Sequence, residues 1–203
     1  EILPAQSGNP SVFHKCGSLR IGYSRLEEEW FKHLQSRSKN VPCEFNIISK
    51  EEANKLHPFM NFDDARIIVS TPNDGHVDPS SVVTTMSQIA SSKGSTISRF
   101  NRVLEINRTK GGEWEVVTEN GTIKAEHVVN AGGCFAPEVG AMVGVDVPII
   151  NLEHQYLITE NHPALQELNF ELPVCRDSYC SSYLRQEGQG LLIGPYETFG
   201  AKP

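Results

Sequence analysis

The chain has 203 residues, a formal net charge of −7 and a hydrophobic content of 38%. These values are typical of a globular protein, and the length allows one large domain or parts of two. The acidic balance argues against nucleic acid as a partner, because phosphate binding needs a basic face. No apolar run reaches the length of a membrane span, so no membrane partner is expected. Five cysteines without a close metal-binding or redox pair indicate reduced thiols in an intracellular compartment.

The first part of the chain predicts a loop, a strand and two helices. We expect a loop over the first fifteen residues and a strand over residues 17–23, where apolar and polar residues alternate. A helix is predicted over residues 26–34. Ser49 and Glu52 have the spacing of a capping box, which predicts a second helix that ends at Leu56.

The clearest helix signal lies after Asp78. A short strand over residues 66–70 and a turn over residues 72–75 precede it. Asp78 can cap the helix, Pro79 suits the first helical position, and Gly94 ends it. The predicted apolar stripe consists of Val82, Val83, Met86, Ile89 and Ala90.

Strands and glycine turns dominate the second half. Residues 103–107, 114–118 and 122–124 are separated by Gly111-Gly112 and Asn120-Gly121, which predicts a meander of three strands. Further strands are predicted over residues 155–159, 182–185 and 190–194. The alternation of helices with two strand clusters indicates an α/β protein with interleaved domains.

A glycine-rich turn, Asn130-Ala131-Gly132-Gly133, lies between a predicted strand at Val128-Val129 and a helix predicted over residues 136–143. A strand, a glycine turn and a helix N-terminus together allow the backbone to approach a bound cofactor closely. Shortly afterwards, His154-Gln155-Tyr156 places polar aromatic side chains between apolar runs. The sequence therefore predicts a cofactor enzyme, of which this chain is the middle part.

Several sequence blocks, in this order, are those of a known family. The chain resembles the flavin-dependent dimethylglycine and sarcosine dehydrogenases, within the D-amino-acid-oxidase-like group, from about Cys16 to Glu197. The blocks are Gly17-Ser18-Leu19-Arg20, Asn73-Asp74-Gly75-His76-Val77-Asp78-Pro79, Val128 to Gly133, His154-Gln155-Tyr156, Tyr183-Leu184-Arg185-Gln186-Glu187 and Gly194-Pro195-Tyr196-Glu197.

The resemblance implies a mixed α/β (α+β) fold, in which part of an FAD-binding Rossmann-like domain is interleaved with an antiparallel-sheet substrate domain. Residues 16–75 and 146–203 would belong to the substrate domain, and residues 76–145 to the FAD domain. The family's Gly-x-Gly-x-x-Gly turn, flavin-linking histidine, C-terminal flavin-contacting segment and folate-binding domain are not found in this sequence. We therefore expect the central part of a longer protein, inactive by itself.

The resemblance also implies site residues. His154 and Tyr183 would be the catalytic pair beside the flavin, where a histidine can bias amine protonation and a tyrosine can orient the substrate. Their other interpretation is a hydrogen-bonded core histidine and a strand tyrosine that only packs. Val103 would hold the adenine end of FAD through its backbone, and Phe135 would stand where the family usually has tryptophan, as an aromatic flavin contact.

The sequence predicts no catalytic role for the other polar residues. We interpret the loop that carries His76 as structural, and Arg185 as either a partner for a substrate carboxylate or a solvent-facing strand residue. No histidine, cysteine and carboxylate cluster has metal-binding spacing, so no metal is predicted.

The resemblance implies oxidative demethylation of an N-methyl amino acid, dimethylglycine or sarcosine, by hydride transfer to FAD. It also implies tetrahydrofolate and an electron-transfer flavoprotein as partners of the longer protein that would contain this chain. A non-catalytic relative, such as the regulatory subunit of pyruvate dehydrogenase phosphatase, and an oxygen-using oxidase of the same fold are the alternatives. The expected location is the mitochondrial matrix in a eukaryote and the cytoplasm in a bacterium.

Overall fold

A seven-stranded sheet organises the larger part of the molecule. The structure, a computed structural model, describes residues 2–8 and 12–197. The strands of this sheet, in spatial order, are β3 (Asn46–Ile48), β4 (Ile67–Thr71), β2 (Ser18–Gly22), β10 (Val174–Asp177), β11 (Ser182–Glu187), β12 (Gly190–Pro195) and β9 (Leu157–Ile158). Only β2 and β10 pair in parallel, and all other neighbours are antiparallel.

Strand β4 shows why this sheet is stable. Its residues alternate between the two faces, and both faces are covered. Ile67 and Val69 pack with Phe31 in one buried cluster, whereas Ile68 belongs to a second cluster on the opposite face, with Leu19 as another member. An uninterrupted apolar strand is therefore the sequence expected at this position.

The helices of the described chain are α1 (Ile2–Ser7), α2 (Arg25–Ser38), α3 (Lys50–Leu56), α4 (Pro79–Ser92), α5 (Ala136–Ala141) and α6 (Pro163–Gln166). Helix α3 confirms the predicted capping box, since the Ser49 side chain accepts from Glu52 N and the Glu52 carboxylate accepts from Ser49 N. Among the described residues, no helix has both the length and the apolarity needed to cross a membrane.

Two smaller sheets complete the described structure. Strands β1 (Phe13–His14) and β5 (His76–Val77) form an antiparallel ribbon. Strands β6 (Val103–Arg108), β7 (Trp114–Thr118) and β8 (Gly121–Ala125) form the predicted meander. The described residues divide into two compact units: one comprises the residues up to Ile89 and from His154 onward, and the other is Ala90–Glu153.

Three local predictions are wrong. The first fifteen residues are not all loop, because α1 and β1 form there; residues 9–11 lie outside the described residues. Val128-Val129 is not a strand, because no described segment pairs with it; a 3-10 helix over Gly133–Phe135 and the short α5 follow the glycines. On α4 the buried residues are Thr85 and Ile89, whereas Val83 and Met86 of the predicted stripe are 63% and 55% exposed.

The mixed α/β class is confirmed. The division into a substrate domain and an FAD domain stays a prediction, and residues 198–203 of the proposed substrate domain lie outside the described residues.

Candidate active site

The hairpin of β11 and β12 positions Tyr183. In the ladder Tyr183 lies opposite Gly194, and a Cβ atom added at Gly194 would stand only 2.2 Å from Cε1 and Cζ of the tyrosine ring. Because van der Waals contact between carbon atoms begins near 3.5 Å, only glycine leaves room for this ring over the neighbouring strand. Gly194 therefore determines where the Tyr183 hydroxyl lies.

His154 belongs to the same unit and packs into an aromatic cluster with Tyr183 and Tyr196. Its ring stacks on Tyr196 with the centroids 4.7 Å apart and the planes 16° from parallel. The centroids of His154 and Tyr183 are 6.1 Å apart, and those of Tyr183 and Tyr196 are 5.6 Å apart. The two residues predicted as the catalytic pair are thus neighbours, although the segments that carry them are distant in sequence.

Glu197 lies at the edge of the same cluster. Its Oε2 is 3.5 Å from Nδ1 of His154, which is ion-pair distance, and this leaves Nε2 of the histidine on the opposite edge of the ring. The preceding residue, Tyr196, is fixed by a backbone hydrogen bond from its N–H to the carbonyl of Ser181, 2.7 Å long. A carboxylate and a stacked ring therefore orient the imidazole from two sides.

Tyr183 also lines a cavity of about 520 Å³, a size that suits a small-molecule ligand. Other residues of its wall are His76, Asp78, Tyr156, Arg185 and Leu192. Arg185 forms an ion pair with Glu187 and donates from Nη1 to the Gln186 carbonyl. The guanidinium is thus engaged within its own strand.

The loop before α4 forms the hydrogen bonds expected of a structural loop. Asp74 accepts from the Ser18 hydroxyl at 2.8 Å, and its backbone carbonyl accepts from Gly17 N at the same distance. Asp78 accepts from Ser81 N at 2.7 Å, as predicted for a helix cap. Hydrogen bonds from Ser81 are the main reason that the pKa of Asp78 is lowered.

His14, His76 and Glu171 form a second polar cluster on the wall of the same cavity. Nδ1 of His14 lies 3.1 Å from Oε2 of Glu171, and Nε2 of His76 lies 2.8 Å from Oε1. The two imidazole rings are stacked, with centroids 4.6 Å apart. Sequence spacing did not show this cluster, because Glu171 is 157 positions from His14 and 95 from His76.

The predicted FAD contacts, Val103 and Phe135, lie in the other unit. Val103 begins β6 just before an irregularity in its pairing with β7, and Phe135 ends the 3-10 helix with its side chain 61% exposed. Gly133 has φ +56°, and no atom lies within 4 Å of the position that a Cβ would take. An exposed aromatic ring next to an open, glycine-lined turn leaves room for a planar cofactor at Phe135, and the FAD contacts of Val103 and Phe135 stay predictions.

The similarity of the chain to known proteins shows its family. The model of the FAD dependent oxidoreductase family matches residues 1–203. The solved structure of L-proline dehydrogenase from P. horikoshii superposes with a TM-score of 0.79 at 26% identity, over 95% of this chain and 51% of that one. The chain belongs to the FAD-dependent oxidoreductase family.

The relatives that the chain resembles include dimethylglycine and sarcosine dehydrogenases. Mitochondrial dimethylglycine dehydrogenase of Mus musculus is 36% identical over 198 residues, which are 98% of this chain and 23% of that protein. Mitochondrial sarcosine dehydrogenase of Homo sapiens is 34% identical over 204 aligned positions, 96% of this chain and 21% of that protein. The predicted resemblance is therefore confirmed, and the chain spans less than a quarter of the length of these relatives.

Sequence reasoning missed three contributors to the site. Tyr196 and Glu197 belong to a block that marks the family but carry no role predictable from the residue types alone, and the contact between Gly194 and Tyr183 is not evident from the sequence. The signal that could have found Gly194 is hairpin register: two strands joined by a short turn place residues at equal distances from the turn opposite each other.

Proposed function

We propose that the protein containing this chain oxidises an N-methyl amino acid, dimethylglycine or sarcosine, with FAD as the hydride acceptor. The observation that carries this proposal is the cluster of His154 and Tyr183, 6.1 Å apart between ring centroids, with Tyr183 on the wall of a cavity of about 520 Å³. The 36% and 34% identities to dimethylglycine and sarcosine dehydrogenases support the substrate class.

The residues of the chain have separable roles in this proposal. When bound, FAD would supply the acceptor for the two electrons. Tyr183 would hydrogen-bond the substrate through its hydroxyl and hold the amine in one orientation. His154 would take the proton of the substrate ammonium group, because only the neutral amine has the lone pair that supports loss of hydride from its methyl carbon. Glu197 would hold the imidazole in place.

Cofactor binding by the other unit is a further part of the proposal. Val103 would contact FAD through its backbone, and the exposed ring of Phe135 would pack against it. For the full-length protein the proposal includes an electron-transfer flavoprotein as the electron acceptor and tetrahydrofolate as a second cofactor. It also includes a location in the mitochondrial matrix if the organism is a eukaryote.

The test uses the full-length protein with its flavin. Acid precipitation first shows whether the flavin is covalently attached. Anaerobic addition of dimethylglycine or sarcosine should then bleach the flavin absorbance. Glycine betaine is the matched control ligand, since its quaternary nitrogen has no lone pair and it should leave the absorbance unchanged. His154→Gln and Tyr183→Phe should slow bleaching by roughly 100-fold, whereas Tyr179→Phe, at a side chain 81% exposed, should not.

Three outcomes would change the conclusion. Folded protein that carries flavin but is bleached by neither substrate would contradict the dehydrogenase proposal and favour a non-catalytic relative. Rapid reoxidation by oxygen, without an electron-transfer flavoprotein, would favour an oxidase. Unchanged rates in both His154→Gln and Tyr183→Phe would remove these residues from the catalytic site and leave the overall reaction intact.

A further inference from the structure

The cluster of His14, His76 and Glu171 is not used by the proposed reaction. Each imidazole directs one ring nitrogen to a different oxygen of the same carboxylate, at 3.1 Å for His14 and 2.8 Å for His76. All three donor atoms lie within 4.8 Å of one another. Two histidines and a glutamate are a donor set found in zinc sites that retain an open position.

We propose that His14, His76 and Glu171 form a binding site for one divalent transition-metal ion of the zinc type. Bonds of roughly 2.0–2.2 Å from zinc to nitrogen and oxygen at tetrahedral angles place neighbouring ligand atoms about 3.4 Å apart. The distances from the two histidine nitrogens to the Glu171 oxygens, 3.1 and 2.8 Å, are about 0.3 and 0.6 Å shorter than this value, so the side chains must separate slightly to admit the ion. Imidazole donors favour zinc or copper over calcium and magnesium, which prefer oxygen ligands.

The fold holds two of the ligands in place before any ion binds. His14 and His76 are directly opposite each other in the ribbon of β1 and β5, so their side chains share one face. The strands approach so closely that a Cβ atom at Gly75 would lie 1.8 Å from the carbonyl oxygen of His14. Glycine at this position is therefore a condition for the stacked pair.

Glu171 is anchored independently. The backbone N–H of the next residue, Leu172, donates to Oε1 of Gln186 on β11 at 3.1 Å. The carboxylate thus comes from a segment tied to the central sheet, whereas both imidazoles come from the ribbon. An ion bound to all three would join these two parts of the same unit.

The site is open to the cavity. All three residues line the cavity of about 520 Å³ that also contains Tyr183, so an ion with bound water can enter. An ion bound at Nδ1 of His14 and Nε2 of His76 leaves the hydrogen of each imidazole on the other ring nitrogen. Nδ1 of His76 is buried and has no hydrogen-bond partner among the described residues, so either tautomer leaves it unpaired.

The experiment measures metal binding directly on the tag-free, full-length protein with its flavin. After treatment with a chelator, equilibrium dialysis against Zn²⁺ should show one ion bound per chain. His76→Ala and Glu171→Gln should weaken this binding by roughly 100-fold. His127→Ala removes an exposed histidine of the other unit and should bind like the unaltered protein. Zn²⁺ should also raise the melting temperature of the unaltered protein but not that of the two ligand variants.

A second measurement uses the unaltered protein, so its result does not depend on whether the ligand variants fold. Cu²⁺ bound in place of Zn²⁺ should give an electron paramagnetic resonance spectrum with hyperfine structure from two nitrogen ligands. Binding that is unchanged in both ligand variants, a spectrum without two nitrogens, or no stoichiometric binding would each overturn the proposal. The result is independent of the proposed amine oxidation, because flavin bleaching by dimethylglycine is not required for any of these measurements.

Discussion

The substitution Gly194→Ala tests whether the position of Tyr183 matters for the proposed reaction. Gly194 does not have a positive φ, so alanine is compatible with the backbone. The added methyl carbon would lie 2.2 Å from the Tyr183 ring, about 1.3 Å short of the roughly 3.5 Å of normal contact. The ring must therefore move by more than an ångström, and its half-buried surroundings next to the cavity allow that movement.

The expected cost is larger for catalysis than for folding. Because the ring can move into the cavity, we expect a loss of only about 1 kcal/mol in the free energy of unfolding, at the low end for an overpacked site. A misplacement of about 1 Å in a group that orients the substrate lowers rates by roughly 100-fold, or about 2.7 kcal/mol in the activation barrier. The assay is anaerobic bleaching of the flavin by dimethylglycine in the full-length protein, with urea unfolding measured in parallel.

A control and a rescue complete the test. Gly111→Ala also places a methyl group on a glycine without positive φ, but the nearest atom is Oγ1 of Thr109 at 3.7 Å, so neither rate nor stability should change. In a Tyr183→Ala background, Gly194→Ala should lose its stability cost, because the ring it meets is gone. A Gly194→Ala protein with unchanged bleaching rate and unchanged stability would refute the reasoning.

Three further predictions concern charge, capping and orientation. Burial of the His57 imidazole, which has no side-chain hydrogen bond, lowers its pKa from 6.5 to about 4. As the pH falls from 6.5 to 4 the unfolded chain therefore takes up a proton before the folded one, which should lower the free energy of unfolding by about 3 kcal/mol. Urea unfolding of His57→Leu should lack this dependence on pH. Ser24→Ala should lower the free energy of unfolding by about 1 kcal/mol, because the Ser24 hydroxyl accepts from Glu27 N at the start of α2. Glu197→Gln should lower kcat for dimethylglycine oxidation by about tenfold with little change in KM, because the carboxylate orients His154 and does not line the cavity.

Each of these predictions has its own control. His162→Leu changes an exposed histidine and should keep the pH dependence of stability; loss of that dependence there would contradict the role of His57. Ser80→Ala, at an exposed position inside α4, should leave stability within about 0.5 kcal/mol, and an equal loss in both serine variants would argue against capping. A change confined to KM in Glu197→Gln would mean that Glu197 acts on substrate binding and not through His154.

The sequence determined those elements whose signal is local. The box of Ser49 and Glu52 fixes the start of α3, because both hydrogen bonds of the cap join residues three positions apart. The meander around Gly111-Gly112 and Asn120-Gly121 was readable for the same reason, since each turn joins strands that are adjacent in the chain. The blocks around His154 and Tyr183 identified the family from their order along the chain.

Tertiary structure decided what depends on distant partners. The β-branched pair Val128-Val129 has strand propensity but no described segment to hydrogen-bond with, so it does not form a strand. The opposite holds for β10 (Val174–Asp177), which has no alternating pattern and becomes a strand because β2 and β11 flank it.

The two polar clusters depend on tertiary structure for the same reason. The placement of Tyr183 over Gly194 follows from the register of a hairpin, which the residue types alone do not reveal. The meeting of His14, His76 and Glu171 follows from the pairing of β1 with β5 and from the anchoring of Leu172 to β11. Hydrogen bonds between segments that are distant in the chain bring these side chains together. Such contacts produce no hydrophobic periodicity from which they could be predicted.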